Sequence, residues 1–469
     1  MTVSLSDRGL VEAAALIADR SVSPVELVES CLARIDRLDG QIRAFVEVLP
    51  DEAMAAAIEA EREIAAGMYR GPLHGIPIAV KDIVNLAGVP TRAGSAVLAD
   101  AEPESVDAPV VARLKKAGAV ILGKTTTHEF AFGVFTPPTR NPWNLDHVPG
   151  GSSGGSGAAV ATEMVFAAIG TDTGGSIRIP AACCGVVGLK PTYGRVPKAG
   201  VVPLSWSLDH VGPLTRRVED AAVVLQVVAG MDRADPTTAD VPVPDFRGRI
   251  DQTLDRLRLG VPDRYFNRRL QPTVAAAVEA AIERLANEGA IVIPIAMPML
   301  DYALDLHLLT ILAEAAAYHR ARFPGDDIDY GVDVRASLAL GDRIIASDYL
   351  QAQRMRRAAL TEMLAGFTKA DVLITPTLPT EAPMVGQDTI SYAEGDEDAL
   401  TSLIRFTCPF NQTGLPAITI PTEAGADGLP VGFQLIGPPF KEERLLQVAA
   451  MVEAIAGAGD RRPPIVRDL

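Results

Sequence analysis

The middle of the chain carries Gly150-Gly151-Ser152-Ser153-Gly154-Gly155-Ser156-Gly157 and, shortly after it, Gly170-Thr171-Asp172-Thr173-Gly174-Gly175-Ser176-Ile177-Arg178. Both segments hold serines between glycines. Glycine lets the backbone adopt conformations closed to other residues and approach a ligand closely, so main-chain N–H groups can point at developing negative charge. This geometry is the one that acyl transfer requires. Upstream, Lys81 ends an apolar stretch, and the three features together indicate a hydrolytic serine site with a lysine base.

Composition limits the kinds of protein this can be. Of the 469 residues, 48% are hydrophobic and 22% charged, which is typical of a globular chain with a sizeable core. The net charge of -16 comes from acids scattered along helices. It argues against nucleic acid or an anionic membrane as a partner.

Targeting and cysteine patterns add two expectations. The start, Met1 to Arg8, lacks a basic segment followed by an apolar one, and no charge-free apolar stretch is long enough to span a bilayer, so a cytoplasmic protein is predicted. The four cysteines, Cys31, Cys183, Cys184 and Cys408, show no CxxC spacing; a buried thiol is predicted for Cys31, and tight packing for the adjacent Cys183 and Cys184.

Secondary-structure signals alternate between helix and strand. Ser23-Pro24-Val25-Glu26 combines a serine cap, a proline at the first helical position and a capping-box glutamate. A second helix is predicted from Ala53 to Ala66, and a strand from Ile76 that ends at Lys81. The segment from Val241 to Asp255 is predicted to be a surface loop.

Two stretches, at 112–122 and 282–293, follow the same pattern: a helix, a glycine that ends it and then a short buried strand. Such units recur in α/β folds. The predicted architecture is therefore a single α/β domain over 1–469, with helices on both faces of a sheet.

Gly118 to Thr125 matches the phosphate-loop pattern G-x-x-x-x-G-K-[ST] letter for letter. Its four intervening residues, Ala-Val-Ile-Leu, form a strand by composition, whose N–H groups pair with neighbouring strands instead of phosphate. We therefore reject an ATPase interpretation.

Gly151 to Gly155 also matches the G-x-S-x-G elbow of α/β-hydrolases, which needs a histidine late in the chain. No histidine follows His319. A histidine-based triad is disfavoured, although chain order alone leaves His307 and His319 open.

The stretch from Pro149 to Pro191 resembles the amidase signature family of serine hydrolases, as do Gly75 to Asp82, Gly123 to Thr125, Pro191 to Val196 and Gly414 to Ala417. The resemblance covers nearly the whole chain. It implies a single-domain fold with a large twisted mixed β-sheet covered by helices on both faces. Within that domain it implies a helical part at 1–70, a catalytic core at 71–215 and a variable substrate-pocket region at 240–345.

Carried over residue by residue, the resemblance implies a Ser-cisSer-Lys triad. Ser176 would be the nucleophile, Ser152 the bridging serine after a cis peptide from Gly151, and Lys81 the base. The oxyanion hole would consist of the backbone N–H groups of Thr173, Gly174, Gly175 and Ser176. The supporting residues would be Ser153, Asp172 and Arg178.

This chemistry places one demand on the lysine. A serine becomes a nucleophile only when a base takes its proton, and lysine is a base only when neutral. With an ordinary pKa of about 10.4, roughly one lysine in a thousand is neutral at pH 7. Burial of Lys81 at the end of an apolar strand would lower that pKa.

The substrate is predicted less directly. Family amidotransferase subunits, as the resemblance implies, carry an acid at the position of Ile404, so an apolar or aromatic amide, anilide or carbamate is favoured here over glutamine. The predicted pocket residues are Phe132, Gly133, Ile404 and Cys408, with further phenylalanines at 135, 406 and 410. A glutaminase-type subunit of a tRNA-dependent amidotransferase stays the alternative.

Cofactors and partners follow from the same resemblance. The mechanism requires no metal or organic cofactor, and the sequence shows no cluster of metal ligands. The expected partner is a small-molecule amide or carbamate, with homodimerisation common among relatives but not required by anything in this sequence.

Overall fold

The computed structural model describes residues 8–252, 256–325, 328–422, 428–456 and 461–466. Two predictions fall partly outside the described residues: the lack of an export-signal pattern, which concerns residues 1–7, and the surface loop, at residues 253–255. The helices are α1 Leu10–Ala18, α2 Pro24–Ile42, α3 Pro50–Ala65, α4 Pro109–Lys116, α5 Gly154–Ala161, α6 Arg178–Cys184, α7 Val218–Val228, α8 Pro272–Asn287, α9 Ala303–Arg322, α10 Val332–Gly341, α11 Ala346–Gly366, α12 Ala399–Ile404, α13 Pro409–Gln412 and α14 Glu442–Ala456.

The strands are β1 Phe45–Val48, β2 Pro77–Lys81, β3 Val120–Thr125, β4 Ala167–Asp172, β5 Val187–Lys190, β6 His210–Thr215, β7 Arg258–Pro262, β8 Ile291–Ile295, β9 Val372–Pro376, β10 Thr389–Tyr392, β11 Gly395–Asp398, β12 Ala417–Pro421 and β13 Gly432–Ile436. An 11-stranded sheet has the order β1-β3-β2-β4-β6-β5-β12-β13-β9-β7-β8, and β10 pairs with β11 separately. The large sheet mixes parallel pairs, such as β2 with β4, and antiparallel pairs, such as β4 with β6. The predicted α/β class with a large mixed sheet is confirmed.

The capping box that opens α2 forms as predicted. The Ser23 hydroxyl accepts a hydrogen bond from Val25 N at 3.0 Å, and the Glu26 carboxylate accepts one from Ser23 N at 2.9 Å. Pro24 occupies the first helical turn, where its missing N–H costs nothing. Local chemistry therefore sets where this helix begins.

Strand β3 explains why the phosphate-loop pattern is wrong for this chain. Val120 to Thr125 is buried and pairs with β2 on one side and β1 on the other, so its backbone groups belong to the sheet. The Lys124 ammonium lies 2.9 Å from the Asp82 carboxylate, so this lysine forms an internal ion pair.

Parallel pairing of β2 with β4 creates the edge on which the site is built. Val80 lies opposite Ile169, so the carboxyl ends of both strands meet at one edge of the sheet. Lys81 ends β2 there, and Thr171 and Asp172 end β4. The chain then turns through residues 173–177 into α6.

The remaining predictions on burial can also be compared. All four cysteines are free and buried, as predicted for Cys31, Cys183 and Cys184. The described part of the 241–255 loop is irregular, but Phe246 and Ile250 pack into the core, so it is anchored and not a free excursion. Among the described helices, none is long and apolar enough to cross a bilayer.

Candidate active site

Lys81 is enclosed at the end of β2, with no exposed surface. Its Nζ lies 2.7 Å from Ser152 Oγ and 2.9 Å from Thr171 Oγ1. Burial lowers the pKa of Lys81 to about 7, against the opposing negative charges of Asp172 and Asp209. A large fraction of this lysine is therefore neutral near neutral pH, the form in which a lysine can accept a proton.

The two adjacent serines differ in what they contact. The peptide bond from Gly151 to Ser152 is cis, and the Ser152 hydroxyl is the one that faces Lys81. Ser153 instead donates through its hydroxyl to Thr171 O at 3.1 Å and through its N–H to Ser176 O at 3.2 Å. Ser153 thus joins α5, β4 and the following loop.

The loop after β4 presents a hydroxyl and several free amides. Ser176 is 6% exposed, and its hydroxyl has no hydrogen-bond partner among the described residues. Within the same part of the chain, the backbone N–H groups of Thr173, Gly174, Gly175 and Ser176 donate to no protein atom. Gly175 has φ +136°, and a Cβ there would come within 2.2 Å of Thr407 Oγ1, so only glycine fits.

Asp172 and Arg178 form the buried brace beneath this loop. Arg178 Nη2 donates to Asp172 Oδ1 at 2.9 Å and Nε donates to Oδ2 at 3.0 Å. The remaining guanidinium donors reach Thr407 O, Gln434 Oε1 and Asn411 Oδ1. Burial alone would raise the pKa of Asp172, but the charge and hydrogen bonds of Arg178 outweigh it and hold that pKa well below its usual range.

Breaking this brace is expected to destabilise the fold strongly. Arg178→Met leaves the Asp172 carboxylate buried without its partner, and the free energy of unfolding should fall by about 3–5 kcal/mol. Chemical denaturation measures this directly. The control is Arg62→Met, which removes an exposed pair with Glu59 and should leave the midpoint unchanged. Equal stability of the two variants would contradict the role assigned to Arg178.

A cavity of about 80 Å³ opens in front of Ser176. Its lining residues are Ala131, Phe132, Gly133, Val134, Thr173, Gly174, Ser176, Leu204, His307, Leu308, Ile311, Leu312, Ser337, Leu400 and Ile404. None of these side chains is Asp, Glu, Lys or Arg. A larger cavity of about 440 Å³ lies between α3 and β3, but no residue of the predicted site lines it. The smaller cavity is therefore the better candidate for substrate binding, because Ser176 lines it.

The predicted pocket residues divide into two groups. Phe132, Gly133 and Ile404 line the cavity. Cys408 does not line it, because this residue caps α13 and is fully buried away from the cavity. The phenylalanines at 406 and 410 belong to a separate buried cluster, and Phe135 lines a different depression. The helices α9 and α10 supply Leu308, Ile311, Leu312 and Ser337 from within the predicted 240–345 region.

Several residues of the site were not predicted. Thr171 contacts Lys81, Asp209 accepts a hydrogen bond from Thr173 Oγ1 at 2.6 Å, and Thr407 donates to Gly174 O at 2.5 Å. Thr171 lies inside the quoted serine segment and could have been found there. Asp209 and Thr407 carry no local signal.

Asn411 was also missed as a residue of the site. The residue is fully buried, and its amide donates to Asp172 O at 2.8 Å and to Asp172 Oδ1 at 2.7 Å. Asn411 therefore belongs to the brace below the serine loop.

The other charged residues in family-like segments serve the fold. Arg195 pairs with Glu442 at 3.2 Å in a buried ion pair. Lys190 instead donates through its Nζ to the carbonyls of Leu415 at 2.6 Å and Pro191 at 3.1 Å. In the described ranges no group of three or more His, Cys, Asp or Glu could hold a metal ion.

Comparison with known proteins identifies relatives of this chain. A model of the family described as Amidase matches residues 26–446. The chain is 45% identical over 466 residues to an amidase of Pseudomonas putida, with 99% of each chain covered. It is 41% identical over 478 residues to one subunit of the glutamyl-tRNA(Gln) amidotransferase of Moorella thermoacetica, covering 96% of this chain and 97% of the relative.

A solved structure shows the same similarity in three dimensions. The chain superposes with a TM-score of 0.92 at 34% identity on a protein described as part of a vestigial complex that reveals the origins of an s-triazine catabolic enzyme, covering 96% of this chain and 99% of that one. The family match spans most of the chain, and the relatives align over nearly all of it. This chain therefore belongs to the amidase family, whose enzymes act on carbon–nitrogen bonds.

Proposed function

We propose that the chain hydrolyses the C–N bond of a small, apolar or aromatic amide, anilide or carbamate through an acyl-enzyme on Ser176. The observation that carries this proposal is the contact of 2.7 Å between Lys81 Nζ and Ser152 Oγ, with Lys81 fully buried. A buried lysine that is neutral and in contact with a serine hydroxyl can act as a general base, because it can accept the proton of that hydroxyl.

Acylation begins with two proton transfers. Ser152 gives its proton to neutral Lys81 and takes the proton of Ser176, whose oxygen then bonds to the substrate carbonyl carbon. The carbonyl π electrons move onto oxygen, and the free N–H groups of Gly174, Gly175 and Ser176 stabilise that charge. One such donor contributes on the order of 3–4 kcal/mol to transition-state stabilisation.

The second half of the reaction reverses the proton path. Lys81 returns its proton through Ser152 to the leaving nitrogen, and the C–N bond breaks as the amine departs. Water then gives a proton to the same relay and attacks the acyl carbon. The acid leaves, and Ser176 regains its hydrogen, so the enzyme ends in its starting protonation state.

The lining of the cavity supports an apolar or aromatic substrate. Glutamine carries an ammonium and a carboxylate, and burying either charge without a counter-charge is costly. No Asp, Glu, Lys or Arg side chain lines the cavity, and Ile404 is an apolar member of its wall. A small uncharged acyl group is the better match.

A second candidate is a glutaminase-type subunit of a tRNA-dependent amidotransferase. What favours it is the 41% identity to the Moorella amidotransferase protein over 96% of this chain. Such a subunit would release ammonia from glutamine and deliver it to a partner protein. The two candidates share the acylation chemistry and differ in the substrate.

A substrate panel separates the two candidates. The isolated chain is expected to release aniline from butyranilide at least about tenfold faster, in kcat/KM, than it releases ammonia from glutamine, because the cavity offers glutamine no ion pair. Aliphatic amides and aryl carbamates complete the panel. Ester cleavage would not distinguish the two candidates, because both would cleave esters through the same acyl-enzyme. A preference for glutamine would reverse the assignment.

A further inference from the structure

His307 lies on α9 beside the serine loop and faces the cavity in front of Ser176. The residue is 1% exposed. Its Nε2 is 2.6 Å from the position that a Cβ on Gly174 would occupy, so the ring lies directly against the backbone of the predicted oxyanion hole. No other histidine lines this cavity.

The hydrogen bonding of His307 is unlike that of the other histidines. Within the described residues neither of its ring nitrogens has a hydrogen-bond partner, and Nδ1 is enclosed by protein. The other five each have a partner, namely His74 with Arg70 N, His128 with Asp333, His147 with Ala382 O, His210 with Leu208 O and His319 with Tyr330. A buried polar group without a partner is energetically costly, so a ring with neither nitrogen bonded calls for an explanation.

The imidazole ring of His307 is neutral near neutral pH. Burial lowers the pKa of His307 to about 3; the charges of Arg356 and Arg178 lower it too, whereas that of Asp172 acts the opposite way. A neutral imidazole carries one N–H and one bare nitrogen. We assign the proton to Nε2, because a buried N–H without an acceptor at Nδ1 is less well tolerated than a bare nitrogen.

We propose that His307 is a specificity-determining residue, which donates one hydrogen bond from Nε2 to an acceptor atom of the substrate near the scissile carbonyl. The proposal rests on the amide hydrolysis proposed above. The favoured substrates are amides whose acyl portion carries an ether, alkoxy or second carbonyl oxygen close to the reacting carbon. Plain hydrocarbon acyl groups leave the donor unsatisfied.

The position of the ring supports this choice of atom. Nε2 lies beside Gly174, whose free N–H is one of the groups proposed to hold the oxyanion, so an acceptor that reaches Nε2 is only a few bonds from the carbonyl. Leu308, Ile311 and Leu312 of the same helix line the cavity with hydrocarbon, so they offer a substrate oxygen no hydrogen-bond donor.

The test uses two anilides of nearly equal shape that both release aniline. The first is 2-methoxy-N-phenylacetamide, called methoxyacetanilide below, whose methoxy group is on the acyl portion. It has an ether oxygen where butyranilide has a methylene group. His307→Leu is expected to lower kcat/KM for methoxyacetanilide about tenfold relative to butyranilide, the effect of losing one hydrogen bond. The ratio between substrates cancels their difference in intrinsic reactivity when wild type and variant are compared.

Two further variants make the geometry testable. His307→Gln carries its amide nitrogen at about the distance of Nε2 and should keep the ratio within about threefold, whereas His307→Asn carries it nearer to Nδ1 and should behave as His307→Leu does. The control is His319→Leu, which removes a histidine of the same helix that bonds to Tyr330, and its ratio should equal that of the wild type.

Equal losses for both substrates in His307→Leu and His307→Gln would show a packing role and overturn the inference. A wild-type enzyme that hydrolyses neither these anilides nor any aliphatic amide or aryl carbamate of the panel would refute the proposed function instead. Because the wild-type rates are measured first, the two failures are distinguishable.

Discussion

Ser176→Ala is expected to lower kcat for amide hydrolysis by about four to six orders of magnitude. The variant lacks the oxygen that bonds to the carbonyl carbon, and the neighbouring Thr173 hydroxyl is already bonded to Asp209. Substrate binding should survive, because the cavity wall and the free N–H groups of Gly174 and Gly175 remain. The expected pattern is therefore loss of kcat with little change in substrate affinity.

Aniline release and mass spectrometry together check this result. The wild-type chain should gain the mass of an acyl group when mixed with a slowly turned-over substrate, and Ser176→Ala should not. Ser156→Ala is the matched control, because Ser156 lies in the same glycine-rich segment but bonds to Thr125 Oγ1 at 2.7 Å, outside the cavity. Substantial hydrolysis by Ser176→Ala would show that another residue attacks.

Lys81→Arg is expected to lower kcat/KM by about three orders of magnitude or more at neutral pH. Arginine keeps the positive charge but does not give up its proton, so it cannot act as the base. In the wild type, kcat/KM should rise with pH through about 7 and then level off, because only neutral Lys81 accepts a proton. Below that midpoint the rate should fall about tenfold per pH unit.

The pH profile distinguishes the base from its neighbours. Lys124→Arg is the matched control, because Lys124 is equally buried and pairs with Asp82, and its replacement should leave the midpoint of the profile near 7. Activity retained in Lys81→Arg would contradict the assignment. So would a wild-type profile that rises only near pH ~10, the range of an ordinary lysine.

Local sequence patterns were reliable where short-range chemistry decides the structure. The Ser23 capping box, the strand ending at Lys81 and the strand hidden in the Gly118 to Thr125 pattern all depend on neighbouring residues, and each forms as predicted. The family resemblance added the assignment of unequal roles to Ser152 and Ser153. Their different contacts, with Lys81 and with Thr171, agree with unequal positions in the site.

Patterns failed where long-range packing decides which side chains meet. Cys408 follows the Ile404 segment closely in the chain, yet the turn into α13 directs only Ile404 to the cavity. His307 and Asp209 joined the site without any local signal. Each reaches the serine loop only after distant segments pack against it.

The sequence by itself determined the α/β class, the glycine-rich serine segments and the presence of a lysine at the end of an apolar strand. These depend on the residues' own conformational preferences and on hydrophobic pattern. Only the tertiary structure decided that Lys81 is fully buried with a pKa of about 7, that Arg178 joins Asp172 to Asn411, and that an unpartnered imidazole faces the cavity. Dehydration and buried charge pairing arise from enclosure by many segments at once, which no single stretch of sequence contains.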